Sequence, residues 1–340
     1  MSQHLRLGLI GCGDFGKELG RYFQQVADIT ALCDVNAEGV EATATALGID
    51  VPRFADYRQL LAAGIVDAVA ITAANFVHAE IAVAAAGAGL HVFCEKPMAR
   101  TLRDCDTVID ACAKAGVALM VGQVRRYDSD WGTWKKIVEG GTLGRPVIWR
   151  QTQAGSAPGA WYMDEKMGGG PFIDGCIHNW DFANLVFGRP ESAHATLMRL
   201  SETTAFDTGS ATVKYSSGDQ VVLNWSWGLP AGVRTAAVTD ILGPKGALHF
   251  PGSYDEAELP TDFNSETHGG YLVSLGKQKR IAKFRRRNMF ALEWKDFKDT
   301  IDKGKTPTVT GEIGRDAVEV SLAVLKAGRT GKPVRIGGAS

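Results

Sequence analysis

The chain has 340 residues, 45% of them hydrophobic and 22% charged, with a formal charge of −1. That length supports two domains with substantial cores, and the composition is ordinary for a soluble globular protein. A charge so near zero gives no electrostatic case for a nucleic-acid or membrane partner, and no apolar run approaches the roughly 20 residues that span a bilayer.

The opening "MSQHLRLGLIGCG" lacks the arginine-rich start and small-residue cleavage site of an export signal. The six cysteines (Cys12, Cys33, Cys94, Cys105, Cys112 and Cys176) include no CxxC pair, and several sit inside apolar runs such as "ALCDV" and "VFCEK". Buried free thiols in a reducing, cytoplasmic setting are the expectation.

The first third alternates short apolar runs with amphipathic segments. The runs "LRLGLIG", "DITALCD", "VDAVAIT", "LHVFCE" and "VALMVG" predict strands. Helices are expected near Asp14–Gln25, Ala37–Leu47, Asp56–Ala63, Val77–Ala88 and Thr101–Ala115. Continuous apolar strands separated by helices indicate a parallel sheet covered on both faces. From about Gly122 the texture changes. A helix near Asp130–Glu139 comes first, and "GGGPFIDGCIHNWDF" then enters a helix expected over Phe172–Phe187. "ATVKYSSGDQVVLNWSWG" reads as a hairpin around Ser-Gly-Asp, and "VRTAAVTDILGPKGALHF" as a second, turning at Gly243–Gly246. Further helices are expected near Phe290–Lys303 and Gly311–Ala327. The expected fold class is therefore α/β. Residues 1–123 form a doubly wound parallel sheet, and residues 124–340 form an α+β domain with a large, mostly antiparallel open sheet.

"GLIGCGDFGKELGRYF" places Gly11, Gly13 and Gly16 in G-x-G-x-x-G spacing, directly after a strand and at the start of a helix. The first glycine permits a tight turn, the second lets backbone approach a pyrophosphate, and the third allows close helix–strand packing. The helix N-terminus adds free N–H groups and a positive dipole end. The second strand ends at Asp34, 18 residues after Gly16, where an acid accepts hydrogen bonds from ribose hydroxyls. An acid repels a 2′-phosphate, and Val35 and Asn36 supply no arginine, so NAD is favoured over NADP. The loop residues Gly11, Cys12, Gly13, Asp14, Phe15 and Gly16, with Asp34, make up the nucleotide set.

The stretch "HVFCEKPMA" ends a core strand with Glu95, Lys96 and Pro97. Ligands in open α/β sheets bind at the carboxyl ends of strands, and Pro97 restricts the residue before it. Downstream, helical geometry would put Asp174, His178 and Asp181 on one face. D-x3-H-x2-D lacks a second histidine or cysteine, so no metal site is expected.

Together, "GCGDFG", "ITAANFVHAEIAVAAAGAGLHVFCEKPMA" and "GGGPFIDGCIHNWD" resemble the Gfo/Idh/MocA family of sugar and polyol oxidoreductases, and the resemblance spans nearly the whole chain. It implies that Lys96, Asp174 and His178 are catalytic, and that the peptide before Pro97 is cis. It also implies that Thr72, Ala73, Asn75, His78, Glu95, Lys96 and Gln123 join the cofactor-binding set. The usual Thr-Pro-Asn is replaced here by Thr72, Ala73, Ala74 and Asn75.

Trp161 and Tyr162 precede the Gly-rich run, and Arg126 follows the last strand of the first domain; with Asp174 and His178 they are the candidates for contact with a sugar or polyol. Trp225 and Trp227 alternate on a strand and face one side, as substrate, core or interface residues. "KQKRIAKFRRR" carries seven basic residues in eleven and reads first as a solvated edge. The reading is an NAD-dependent dehydrogenase of a cyclic polyol or sugar, inositol-like or aldose-like. An NAD-dependent glycosidase of the same family and a non-catalytic sugar sensor stand as rivals. A homodimer or homotetramer, paired through the second domain's sheet, is expected from the resemblance.

Overall fold

The computed structural model describes residues 5–235, 237–255 and 266–337. The chain first lays down β1 (Arg6–Ile10), α1 (Asp14–Phe23), β2 (Asp28–Cys33), α2 (Ala37–Leu47), β3 (Arg53–Phe54), α3 (Tyr57–Ala62) and β4 (Ala68–Ile71). Then come α4 (His78–Gly87), β5 (His91–Glu95), α5 (Leu102–Ala115) and β6 (Leu119–Gly122). The six strands are parallel in the order β3-β2-β1-β4-β5-β6, the doubly wound pattern whose order reverses between β1 and β4. Local chemistry sets the helix ends. Asn36 accepts the N–H groups of Glu38 and Gly39 to start α2, and Gly48, at φ 65°, ends it in the left-handed region. Along α5, Cys105, Val108 and Cys112 recur at helical spacing and are the buried face.

The next elements are α6 (Ser129–Glu139), β7 (Ile148–Ala154), α7 (Ile177–Phe187), β8 (Pro190–Met198), β9 (Thr208–Tyr215) and β10 (Gln220–Ser226). They are followed by β11 (Val238–Gly243), β12 (Gly246–His249), β13 (His268–Leu275) and β14 (Gln278–Arg285). With β15 (Val334–Arg335), which follows α8 (Met289–Lys303) and α9 (Gly311–Thr330), they build a nine-stranded sheet, β14-β13-β12-β11-β7-β10-β9-β8-β15. Its pairings are antiparallel except β7 with β10. Both expected hairpins form, β9 with β10 and β11 with β12, the second closing with Gly243 opposite Gly246. The basic segment forms the edge strand β14, where charged side chains discourage pairing with another chain. Trp134, Trp149, Trp180 and Tyr215 are fully buried in this sheet's core.

The chain does not divide at one point. One compact unit joins residues 1–127 to 288–318, and the other joins 128–287 to 319–340. A second domain running unbroken from 124 to 340 is therefore corrected by the return of α8. The reason is aromatic packing: the Trp294 ring centroid lies 3.5 Å from that of Phe23 and 4.2 Å from that of Phe93, and all three residues are fully buried. Periodicity reveals that α8 has an apolar face but not which sheet it covers. All six cysteines are buried and free.

Candidate active site

In the first unit, the three glycines do three different jobs. Gly11 has φ +107°, and a Cβ there would lie 2.3 Å from the Ala73 nitrogen. A Cβ on Gly16 would meet the Gly11 carbonyl oxygen at 2.0 Å, so helix and strand touch through backbone. At Gly13, by contrast, an added Cβ would meet nothing within 4 Å. Gly13 is exposed and is the N-cap of α1, with no side chain capping the first turn. The sequence therefore leaves the helix N-terminus bare, as an approaching pyrophosphate requires. Asp14 opens that helix and pairs with Lys17 at 2.9 Å, and Phe15 is 40% exposed, edge-on to Phe290.

Asp34 follows β2 and ties the loop together. One carboxyl oxygen accepts the Cys12 N–H at 2.7 Å and the other the Asn36 N–H at 2.9 Å. Each oxygen keeps a lone pair for a ribose hydroxyl. Val35 is 91% exposed and Asn36 is committed to capping α2, so neither provides a cation for a 2′-phosphate. Burial, then the Asp34 charge, pushes the Cys12 thiol up to about 12, which keeps it inert. The glycine cradle, the bare helix end and Asp34 fit the adenosine and pyrophosphate of NAD.

The ends of β4, β5 and β6 carry the other candidates. Thr72 donates its hydroxyl to the Gly11 carbonyl at 2.7 Å, so it braces the glycine loop. Asn75 is 2% and His78 1% exposed. The His78 Nε2 lies 2.8 Å from the Ala73 carbonyl oxygen and its Nδ1 2.9 Å from that of Pro97. Glu95 closes β5 at 4% exposure, and its carboxyl accepts the Lys96 N–H at 3.1 Å. Lys96 is half-buried, and the Lys96–Pro97 peptide is cis. Gln123 is fully buried after β6, and neither its side-chain oxygen nor its nitrogen has a hydrogen-bond partner among the described residues. A buried amide with both ends unused fits a polar ligand group. Arg126 is half-buried in the turn that follows, its N–H bonded to the Gln123 carbonyl at 3.1 Å.

In the second unit, one helix does not carry the whole D-x3-H motif. Turns run from Pro171 to Cys176 and α7 begins at Ile177, so Asp174 lies before the helix and His178 in its first turn. The glycines explain the late start: Gly169 and Gly170 take φ 81° and 84°, and the N–H groups of Gly168 and Gly170 bond to the Trp161 and Tyr162 carbonyls. Asp174 is 5% exposed and His178 half-buried. Asn179 donates to Gln151 of β7 at 2.8 Å, and Asp181 is 1% exposed. Trp161 stacks on Tyr162 at 3.8 Å, and Tyr162 meets Trp227 edge-on at 6.0 Å. Trp227, beyond the end of β10, lies so close to Gly175 that a Cβ there would be 2.8 Å from its ring, whereas Trp225 joins the core. The aromatic pair singled out in the sequence thus separates into one core residue and one that packs against that core beside Gly175.

Comparison with known proteins assigns both halves. Residues 5–123 match the model of an oxidoreductase family with an NAD-binding Rossmann fold, and residues 131–249 match the GFO/IDH/MocA C-terminal domain. The chain belongs to the Gfo/Idh/MocA family of oxidoreductases. Within that family it is 28% identical to the myo-inositol 2-dehydrogenase of Thermotoga maritima, over 95% of this chain and 96% of that protein. It is 36% identical to an inositol 2-dehydrogenase of Klebsiella pneumoniae over 47% of this chain and 49% of that protein. Among solved structures, the fold matches an aldose-aldose oxidoreductase from Caulobacter crescentus complexed with glycerol. The TM-score is 0.82 at 23% identity, covering 98% of this chain and 100% of that one. The first unit is therefore an NAD-binding Rossmann domain and the protein an oxidoreductase.

Proposed function

We propose that the protein is an NAD-dependent dehydrogenase that oxidises a secondary hydroxyl of a cyclic polyol or sugar, inositol-like or aldose-like. The observation that carries this reading is the placement of Lys96 at the carboxyl end of β5, in the domain whose glycine loop and Asp34 form the dinucleotide cradle. Likeness to an inositol dehydrogenase over 95% of the chain supports a cyclic polyol. NAD, when bound, supplies the hydride acceptor. His178 is the general base that takes the hydroxyl proton, since an imidazole's ordinary pKa of about 6.5 suits proton transfer near neutrality. Lys96 hydrogen-bonds the reacting oxygen and stabilises alkoxide charge as it develops. Asp174 orients the substrate hydroxyls. The test is a panel of inositols, aldoses and anhydrosugars with NAD. Accumulating reduced cofactor supports a dehydrogenase; glycoside cleavage without net reduction would replace this reading with a glycosidase.

The assembly we propose is a homodimer or homotetramer built on the sheet face of the second unit that alternates with its core. There the half-exposed Ile148 and Val238 flank an Arg150–Asp240 ion pair at 2.5 Å. A monomeric mass at micromolar concentration would overturn it. Among the described residues no helix is long and apolar enough to cross a membrane. Six buried free thiols support a reducing, cytoplasmic location.

A further inference from the structure

Beside the turn that carries Asp174, the second unit gathers three rings that its core covers only in part. Trp161, Tyr162 and Trp227 are each half-buried, whereas Trp134, Trp149 and Trp180 of the same unit are fully buried. Trp227 explains the glycine that follows Asp174. Gly175 takes no positive φ, yet a Cβ there would lie 2.8 Å from Cζ2 and 3.1 Å from Cη2 of the indole. A larger residue at 175 would push the ring aside, so glycine lets the indole edge lie on the Asp174 turn. The backbone of Trp227 is anchored as well. Its N–H donates to the Asp207 carbonyl at 2.8 Å, and Gly228 lies so near the Asp207 carboxylate that a Cβ there would be 2.8 Å away. Asp207 is fully buried and accepts the N–H groups of Leu200 and Ser201, each at 2.8 Å. Tyr162 meets Trp227 edge-on at 6.0 Å, and its own carbonyl accepts the Gly170 N–H at 2.8 Å. The rings are therefore set in place before any ligand arrives.

We propose that Trp227 is a specificity-determining residue: with Tyr162 it forms an aromatic wall for the C–H face of a ring-shaped substrate. The inference rests on the reading that Asp174 and His178 handle a polyol or sugar hydroxyl, and it narrows that substrate to a ring. In a cyclic polyol whose hydroxyls are mostly equatorial, the axial C–H bonds collect on the two faces of the ring. Their slight positive charge suits the negative face of an aromatic ring, and contact takes both apolar surfaces out of water. The equatorial hydroxyls point outward, where a carboxylate such as Asp174 accepts them. An open-chain polyol with the same hydroxyls has no such face and loses more conformational freedom on binding. A rigid aromatic wall therefore separates ring from chain where a count of hydroxyl groups does not.

Equilibrium binding needs no turnover, so calorimetry on the NADH-loaded protein tests the wall with two probes, myo-inositol and the open-chain hexitol glucitol. Both carry six hydroxyl groups. The wild type should bind myo-inositol the more tightly. Trp227→Leu, which keeps an apolar contact with the core, should lose about tenfold in affinity for myo-inositol and little for glucitol. Trp227→Tyr, which keeps an aromatic face, should retain most of the preference, and thermal melting checks that both variants are folded. A wild type that does not prefer the ring overturns the wall, as does unchanged binding of myo-inositol in Trp227→Leu. An equal loss for both probes in that variant also overturns it, and would make the indole a prop for the Asp174 turn. The dehydrogenase reading fails separately, when the ring preference holds but no inositol or aldose reduces NAD.

Discussion

The imidazole of His78 and the carbonyl of Pro97 stand 2.9 Å apart, and that contact joins the loop after β4 to the turn that presents Lys96. The other ring nitrogen reaches the Ala73 carbonyl, so one buried side chain spans two of the loops that border the candidate site. His78 thus acts through its neighbours. Replacing it by leucine leaves buried carbonyls without their partner, which costs about 1–3 kcal/mol. Urea unfolding should show that loss, and turnover should fall further than the unfolded fraction explains. Wild-type stability and turnover in His78→Leu would show that the bridge contributes nothing.

We propose that Asp34 sets the choice of nucleotide. The purified protein should bind NAD more tightly than NADP, and Asp34→Ala should narrow the difference by removing the charge that opposes a 2′-phosphate. Because the same carboxyl accepts the Cys12 and Asn36 N–H groups, the variant should also bind NAD more weakly. Equal or reversed affinity in the wild type, measured by calorimetry, would remove the basis of the preference.

The three glycines separate folding from binding. Gly16→Ala drives a methyl into the Gly11 carbonyl at 2.0 Å, so it should be destabilised by about 1–3 kcal/mol. Gly13→Ala meets open space and has an ordinary φ of −72°, so the apoprotein should melt like wild type. The added methyl nevertheless occupies the approach to the α1 N-terminus, and NAD affinity should drop by at least about tenfold, or 1.4 kcal/mol. Normal NAD binding in Gly13→Ala would mean that the pyrophosphate lies elsewhere.

Removal of the proposed base and oxyanion partner should spare the nucleotide cradle. His178→Asn should lose about 10²–10⁴-fold in turnover, and Lys96→Ala about 10²–10³-fold, each with NAD binding retained. Acting on one oxygen, the two should be less than multiplicative when combined. A folded His178→Asn protein that turns over at the wild-type rate would return that histidine to an ordinary place on the α7 surface.

Local chemistry made part of this site legible in the sequence. The glycine spacing, Asp34 and Glu95-Lys96-Pro97 all lie where a strand meets its loop, and each side chain's task depends on residues close to it in sequence or on an adjacent strand. Three features depended on distant packing and stayed hidden. A four-residue interval suggested that Asp174 and His178 share a helix, but glycines at positive φ hold the chain in turns as far as Cys176. His78 was expected near the cofactor, and spacing alone did not reveal that its two ring nitrogens lie against the carbonyls of Pro97 and Ala73. Glu293, fully buried on α8, drew no notice, although an acid on the same helical face as Phe290, Trp294 and Phe297 interrupts an apolar stripe, and that interruption was the available signal.

The return of α8 also bears on how the protein is made. Trp294 fills the space between Phe23 and Phe93, so the first core is complete only once residues near position 294 have been synthesised. A nascent chain leaves the ribosome from its N-terminus at about 5–20 residues per second. The domain begun by the first strand therefore waits through eight strands of the second sheet, β7 to β14, before α8 arrives to cover its core.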